Sequence, residues 1–305
     1  MTTLITGGSG YIGSHITKFI NKYVIVDINY IKNPNFVKAD ITKFEELEVI
    51  FKNYKIINVM HIAGKAFVKE SFDKIDEYYN TNVIGTINIL NLMVKYNVPK
   101  IVFSSSCSVY GNAANIIDEN TILNPISPYG TTKKICEDII KTYPISYSIL
   151  RYFNVAGNDP EYIGIDNKNN FKRIIPTIVL CALHNKVLTI NGNDFNTKDG
   201  TCVRNYIHVL DIAEAHVKAL SYTGNIICNL GSTTTHSILD IIKLVEKYTN
   251  KKIEYKFGDK IIGDPDIVYC NNTFAKKELN FEVKYDINII IKNYIDFIKQ
   301  FNYFI

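Results

Sequence analysis

The chain has 305 residues, of which 47% are apolar, 21% charged and 12% aromatic. That balance belongs to a globular protein with a sizeable core and room for one large or two ordinary domains, and it excludes a disordered or fibrous chain. The 34 basic residues outnumber the 30 acidic ones by a formal charge of only +4, and they are scattered, so no nucleic-acid partner is expected while a small anionic ligand is compatible.

Thr2–Thr6 reads as a short buried strand, followed by Gly7-Gly8-Ser9-Gly10-Tyr11-Ile12-Gly13 and an amphipathic segment over residues 14–21. In this sequence of strand, turn and helix, the glycines permit a tight turn and close approach of a pyrophosphate, whose charge the helix start favours. A second strand, residues 23–26, ends at Asp27. A carboxylate there can accept hydrogen bonds from both hydroxyls of an adenosine ribose and would repel a 2′-phosphate, which predicts NAD in preference to NADP. Residues 35–38, a helix over 43–52, a strand over 56–61, a long helix over 72–95 and a strand over 100–105 continue the alternation. This pattern predicts an α/β fold with a parallel, doubly wound Rossmann sheet. His61, at a strand end, reads as a satisfied structural histidine.

The apolar run Ile101-Val102-Phe103 leads into Ser104-Ser105-Ser106, and the helix beginning near Pro128 carries Tyr129 and Lys133. Four positions apart on a helix, these two share a face, so the ammonium can sit beside the phenol. A fixed cation favours the phenolate and moves tyrosine from its ordinary pKa of ~10 towards neutrality, which predicts proton transfer. Ser106 would offer its hydroxyl to the same substrate oxygen. Residues 146–151 form the next strand.

After Asn154 the texture changes: Asn158-Asp159-Pro160 and residues 166–170 read as a polar loop and a domain boundary. Strands are expected over 204–209 and 226–230, and helices over 211–222, 238–248 and 286–300. Cys107, Cys136, Cys181, Cys202, Cys228 and Cys270 lie far apart, without the paired spacing of a zinc site, and read as free thiols. No run approaches the ~20 apolar residues of a membrane span, and a core-strand run follows Met1 within a few residues. No membrane contact or signal peptide is therefore expected, and a cytoplasmic protein is.

Leu4 to His15, Tyr78-Tyr79-Asn80-Thr81-Asn82-Val83, Phe103 to Gly111, Ser127-Pro128-Tyr129-Gly130, Leu150-Arg151-Tyr152-Phe153-Asn154 and Asp199 to Val209 together resemble the UDP-glucose 4-epimerase family of extended short-chain dehydrogenase/reductases. The resemblance runs in register over nearly the whole chain. It implies that Gly7, Gly10, Tyr11, Ile12, Gly13, Asp27, Asp40, Ile41, Ile62, Ala63, Gly64, Asn82, Tyr129, Lys133 and Phe153 hold NAD. It likewise places Ser106, Tyr129 and Asn154 at a UDP-sugar, with Arg204 and Asp264 at its diphosphate and ribose; where the family's clamp arginine is lost at position 261, Lys260 could replace it only as a point charge. The implied reaction inverts C4 of the sugar through a transient 4-keto sugar and NADH, with Tyr129 as base. The implied organisation is an NAD-binding domain over 1–154 with return segments about 204–232, and a smaller sugar-nucleotide domain over 155–203 and 233–305. A homodimer is expected from the same resemblance.

Several positions depart from the family pattern. The segment between Asp27 and Asn35 is short, Ala66 stands where a lysine is frequent, and Asn191 replaces an aromatic. Arg173 occupies the place of an asparagine or histidine, and the family's Arg-x-Gly-Asp reads Ile261-Ile262-Gly263-Asp264. Val268 takes the position where a tyrosine would crowd out a 2-acetamido group, so UDP-GlcNAc and UDP-GalNAc are expected substrates too. Two other readings are a sugar-nucleotide 4,6-dehydratase, which needs an acid where Cys107-Ser108 stand, and a non-catalytic sensor, which has no need of Ser106, Tyr129 and Lys133.

Overall fold

In the computed structural model, which describes residues 1–113, 116–161, 173–261 and 264–301, strands and helices alternate from the start. The first half runs β1 (Thr2–Thr6), α1 (Tyr11–Ile16), β2 (Tyr23–Asp27), β3 (Phe36–Lys38), α2 (Phe44–Asn53), β4 (Ile56–His61), α3 (Val68–Asp73), α4 (Ile75–Tyr78), α5 (Gly85–Lys95), β5 (Lys100–Ser106), α6 (Pro128–Ile140) and β6 (Ser146–Tyr152). The second half runs β7 (Asn154–Ala156), α7 (Ile174–His184), β8 (Leu188–Asn191), β9 (Val203–His208), α8 (Val209–Ser221), β10 (Ile226–Leu230), β11 (Thr235–Ser237), α9 (Ile238–Thr249), β12 (Tyr255–Gly258), α10 (Thr273–Leu279) and α11 (Ile287–Phe301).

Seven strands, all parallel, form one sheet in the order β3-β2-β1-β4-β5-β6-β10. Alternate side chains of a strand point to opposite faces, and this sheet is apolar on both. Leu4, Val24, Val26, Val59, Ile101 and Phe103 pack on one side with residues of α2, α5 and α6. Their neighbours Ile5, Met60, Val102 and Leu150 pack on the other with α1, α8 and α10. The expected doubly wound α/β architecture is thus observed. A third core joins α7, α9 and α11 to Leu188 and Ile190 of β8. Beside it lie a three-stranded sheet, β11-β9-β7, and a two-stranded one, β12-β8. Strand order in the large sheet reverses between β1 and β4, so the connections leaving their C-terminal ends pass to opposite faces of the sheet and a crevice opens between them.

The short elements β7, β8, β11, β12 and α10 were not expected, and three longer stretches also differ from expectation. Helix α1 starts at Tyr11, directly after Gly10, because Ser14 N–H already bonds the Gly10 carbonyl at 2.9 Å; the chain then tightens into a 3-10 turn at Thr17–Phe19. The long helix expected over 72–95 is broken at Lys74 and widens into a π-helical segment, Tyr79–Ile84, before α5. Helix α7 was not anticipated: Ile174–His184 is apolar on nearly every side and carries Pro176 in its first turn, so it shows neither an amphipathic period nor an uninterrupted helical run. The expected loop over 166–170 lies outside the described residues, as does Gly263.

Candidate active site

Ser106 ends β5, and its Oγ accepts the Ser108 N–H at 3.2 Å, capping a 3-10 turn at Cys107–Tyr110. The neighbouring α6 begins where Ser127 Oγ accepts the Gly130 N–H at 3.1 Å and Pro128 presets the first turn. Tyr129 therefore sits in that first turn and Lys133 one turn later, and both are buried with Ser106. The Tyr129 ring stands edge-on to Tyr78, centroids 6.4 Å apart. The Tyr78 hydroxyl is in turn tied to the backbone of Phe67, donating to its carbonyl at 2.8 Å and accepting its N–H at 3.0 Å.

Beneath these residues a buried polar network fixes α6 to the sheet. Glu137 receives Arg151 through Nε at 2.9 Å and Nη2 at 2.6 Å, and receives the Ser105 hydroxyl at 2.5 Å. Arg151 Nη1 donates to Tyr110 Oη at 2.8 Å, and that hydroxyl donates to Asn229 Oδ1 at 2.7 Å.

The electrostatics correct one expectation. Lys133 does not turn its ammonium to the phenol: Nζ donates to the Ser104 carbonyl at 2.8 Å and lies 4.8 Å from the Phe103 ring centroid. Burial pulls Lys133 down to about 8, with Cys136 and Glu137 acting in the opposite direction. Burial pushes the Tyr129 phenol up to about 12, opposed by a hydrogen bond with Ser106 and by the charge of Arg173. Tyr129 is thus held neutral, and the cation acting on it is Arg173, the residue just before α7.

A cavity of about 360 Å³ opens at the C-terminal end of the sheet and brings together Ser106, Tyr129, Lys133, Ile12, Ile62, Gly64, Phe153 and Asn154. Gly7, with φ of +70°, makes the turn beside it; a Cβ there would lie 2.6 Å from Ala63 N. At Gly13 a Cβ would come within 2.2 Å of the Gly7 carbonyl, so α1 can start only if that position is bare. Gly10 lies between them, its N–H bonded to Gly7 O at 3.1 Å. Asp27 accepts the Ser9 N–H at 3.2 Å and the Asn29 N–H at 2.9 Å, and burial raises its pKa. Asp40 accepts the Thr42 N–H at 2.8 Å, while Ile41 fills the space beside Gly85. Asn82 clamps Lys65, accepting its N–H at 2.8 Å and donating to its carbonyl at 3.1 Å, and so holds the turn after Gly64.

The other expected substrate contacts do not line this cavity. Arg204 pairs with Asp264 at 2.6 Å and also donates to the Val203 carbonyl at 2.8 Å. Lys260, expected as a diphosphate charge, pairs with Asp266 at 3.2 Å and lies over the Phe195 ring. Val268 is buried in an apolar cluster with Val109, Tyr110 and Phe153. His61 is structural, as read: Thr86 Oγ1 donates to the Asn82 carbonyl, so His61 Nε2 donates to Thr86 at 3.0 Å and Nδ1 accepts from Thr6 at 2.6 Å. The six cysteines are free. Among the described residues no helix is long and apolar enough to cross a membrane.

Sequence reasoning assigned no role to Tyr152, Tyr206 or Tyr294, which also face the cavity, and noted Arg173 only as a departure. Tyr294 lies on the last helix, and nothing in its spacing ties it to a site nearly three hundred residues away. The Tyr11 hydroxyl supplies that link, donating to the Gly157 carbonyl and meeting Tyr294 Oη at 3.2 Å.

Residues 3–231 match the family described as the NAD dependent epimerase/dehydratase family. The UDP-glucose 4-epimerase of Bacillus subtilis (strain 168) is 37% identical over 314 residues, covering 93% of each chain. The structure of the UDP-glucose 4-epimerase from Bifidobacterium longum in complex with NAD+ and UDP superposes with a TM-score of 0.91 at 31% identity, covering 98% of each chain. The UDP-Glc/GlcNAc 4-epimerase from Campylobacter jejuni superposes with a TM-score of 0.81 at 29% identity, over 98% of this chain and 99% of the other. With the glycine turn, the acid after β2 and the buried Ser-Tyr-Lys set on one parallel sheet, this likeness has a single meaning: the chain belongs to the NAD dependent epimerase/dehydratase family.

Proposed function

We propose that the protein interconverts UDP-glucose and UDP-galactose by inverting C4, and UDP-GlcNAc and UDP-GalNAc by the same route. The observation that carries this reading is the convergence of Ser106, Tyr129 and Lys133 on one cavity beside the glycine turn. Support for NAD comes from the chain's own residues: the glycine turn over residues 7–10 joins β1 directly to the start of α1, the arrangement that suits a pyrophosphate, and Asp27 ends β2 as a carboxylate for a ribose. Bound there, NAD supplies the acceptor and donor for the C4 hydride.

The chain does the rest. The Tyr129 phenol, neutral in the chain alone, must first give up its proton; as phenolate it then accepts the proton of the C4 hydroxyl and returns it after the 4-keto sugar has turned its other face to the cofactor. Ser106 hydrogen-bonds the reacting oxygen. Lys133 is placed to bind the nicotinamide ribose when it leaves the Ser104 carbonyl. The acetylated substrates rest on Val268, which stands where a bulky aromatic would exclude them, and on the substrate range in the name of the Campylobacter protein.

We assign NAD to residues 1–154 and the return about 204–232, a division supported by β10 joining the large sheet. The sugar nucleotide is assigned to the remainder. A homodimer is supported by the exposed apolar side chains of Phe72, Ile75 and Ile84 in the segment that runs from α3 to the start of α5. The test of the whole reading is incubation of the purified protein with UDP-galactose and NMR of the products. UDP-glucose is expected; substrate returned unchanged overturns epimerisation, and a 4-keto-6-deoxy product would mark a dehydratase.

A further inference from the structure

In-register pairing puts Thr6, His61 and Phe103 in one row across β1, β4 and β5, close to where those strands end at the cavity. Side chains in such a row stand on one face of the sheet, here the face that Phe103 shares with α5 and α6. His61 is at the centre of the row, and the direction of every hydrogen bond through it is fixed. The Thr86 hydroxyl gives its only proton to the Asn82 carbonyl at 2.6 Å, so towards His61 Nε2, at 3.0 Å, it offers a lone pair. His61 therefore carries its proton on Nε2, and the bare Nδ1 takes the Thr6 hydroxyl at 2.6 Å. Thr6 Oγ1 in turn receives the Ala63 N–H at 3.3 Å. On the far side, Asn82 Nδ2 donates to Thr132 Oγ1 at 3.0 Å, and Thr132 donates to the Tyr129 carbonyl at 2.7 Å. The string runs one way throughout, from the turn at Ala63 to the helix that carries Tyr129 and Lys133.

Thr6, His61, Thr86, Asn82 and Thr132 are all buried, so a break anywhere leaves a polar group with no water to turn to. Two further contacts tie the string to Lys133. Asn82 Oδ1 and Lys133 Nζ both lie against Gly64, where a Cβ would stand 3.0 Å and 3.5 Å from them. The His61 ring packs on Phe103 with centroids 5.7 Å apart, and Lys133 Nζ lies 4.8 Å from the centroid of that same Phe103 ring. Asn82 itself belongs to the π-helical segment Tyr79–Ile84, a widening that is frequent at functional sites. Burial, helped by the charge of Lys133, brings His61 down to about 3, so the ring is neutral wherever the protein works near pH 7. A rigid ring with an acceptor on one edge and a donor on another is what bridging β1 to α5 requires, and neither a hydroxyl nor a flexible amide supplies it.

We propose that His61 is a positioning residue of the reaction: as its Nε2–H tautomer it locks Asn82, and through Asn82 and the Phe103 ring it sets where Tyr129 and Lys133 stand relative to the cofactor turn. The inference rests on the epimerase reading given above. It goes beyond the satisfied histidine described with the site, because the two ends of the string are the two partners of the hydride and proton transfers.

The experiment compares the NAD-loaded parent with Thr86→Val, Thr86→Ser, His61→Gln and the double variant His61→Gln/Thr86→Val, by steady-state kinetics with UDP-galactose, by cofactor content and by nitrogen NMR of the histidine rings at pH 7. Thr86→Val keeps the shape of the side chain and removes the hydroxyl from the middle of the string. Its kcat should fall roughly 10- to 100-fold, with KM within about twofold of the parent and NAD still bound. Thr86→Ser, which keeps the hydroxyl, should restore most of kcat. The double variant should be no slower than its slower parent single, since both changes break one string. Parent-like kcat in Thr86→Val overturns the proposal, as do equal losses in Thr86→Ser and Thr86→Val, which mark packing alone, or losses that multiply in the double variant. The Thr86 pair decides the matter by itself should His61→Gln not fold. NMR should show His61 in the parent protonated on Nε2 alone, and a proton on Nδ1 overturns the proposal without any assay of turnover. Failure of the epimerase reading has a separate signature: an NAD-loaded parent that leaves UDP-galactose unchanged while His61 keeps its Nε2–H tautomer.

Discussion

Arg204 Nη2 meets Asp264 Oδ1 at 2.6 Å, so two side chains expected to hold different parts of a nucleotide hold each other in the folded chain. The guanidinium also bonds the Val203 carbonyl at 2.8 Å and the Asp266 carbonyl at 3.3 Å, knitting β9 to the segment after residue 264. Arg204→Ala should therefore raise KM for the UDP-sugar by roughly 10- to 100-fold and lower the melting temperature as well. Arg204→Lys should recover little, because a point charge does not reproduce the fork. Ile261→Arg should lower KM. Unchanged KM in both Arg204→Ala and Ile261→Arg would remove this region from the substrate site.

Tyr129→Phe should reduce turnover by at least about 100-fold while NAD remains bound. The phenol is the proposed base, whereas its ring is held by Tyr78 and the first turn of α6. Product NMR and cofactor content after denaturation give the two readings. Parent-like turnover in the variant rejects the mechanism.

Lys133 gives a pH signature. Its pKa is lowered from 10.5 to about 8 by burial, so the folded chain binds fewer protons than the unfolded one between those values. Stability contributed by this residue therefore rises with pH: the cost of the buried ammonium is full below about pH 8, fades through the window and is absent above about 10.5. The stability difference between the parent and Lys133→Met should move in the parent's favour by on the order of 2–3 kcal/mol from pH 7 to pH 10.5. Urea unfolding across that range checks it, and a difference independent of pH contradicts the assignment.

Glu137→Gln should destabilise the fold by about 3–5 kcal/mol, since it leaves the Arg151 guanidinium buried without its counter-charge. The pair is almost wholly inaccessible, at 4% and 0% side-chain exposure. The same substitution loosens Ser105 against α6, so kcat should fall in the fraction that remains folded. Chemical denaturation within about 1 kcal/mol of the parent would show the pair to be dispensable.

Val268→Tyr should suppress conversion of the acetylated sugars and spare the plain hexoses. Val268 shares its apolar cluster with Phe153, which faces the reactive cavity, so bulk added at 268 has to be taken up by a cluster that includes part of the cavity wall. Assays with both substrate pairs decide it. A parent that acts on plain hexoses alone refutes the gate.

The first half was legible because its strands are buried on both faces and its turns are marked by residues with one physical purpose. Gly7, Asp27 and the Ser127-Pro128 helix start each announce themselves locally, and the edges of β4 fall where the apolar run ends, as do those of β10 in the second half. The direction of Lys133 was not legible. Helical spacing gives the face a side chain occupies, while the choice between the phenol and the Ser104 carbonyl is made by the strand packed beneath it. Helix α7 was missed because burial all round erases the period by which helices are read. Short strands such as β7 and β11 have no pattern of their own and exist through their pairing with β9.

Helix α7 has two employments. Its first residues form a wall of the cavity, and from Ile175 onward the same helix builds the core shared with α9 and α11. Any rearrangement that shifts this helix along its axis must move Arg173 and the Ile174 side chain together with that apolar interior. Ligand release and loosening of the third core should therefore be coupled: a methylene removed at Ile178, which does not line the cavity, should alter the dissociation rate, and a tight ligand should steady the C-terminal part of the chain.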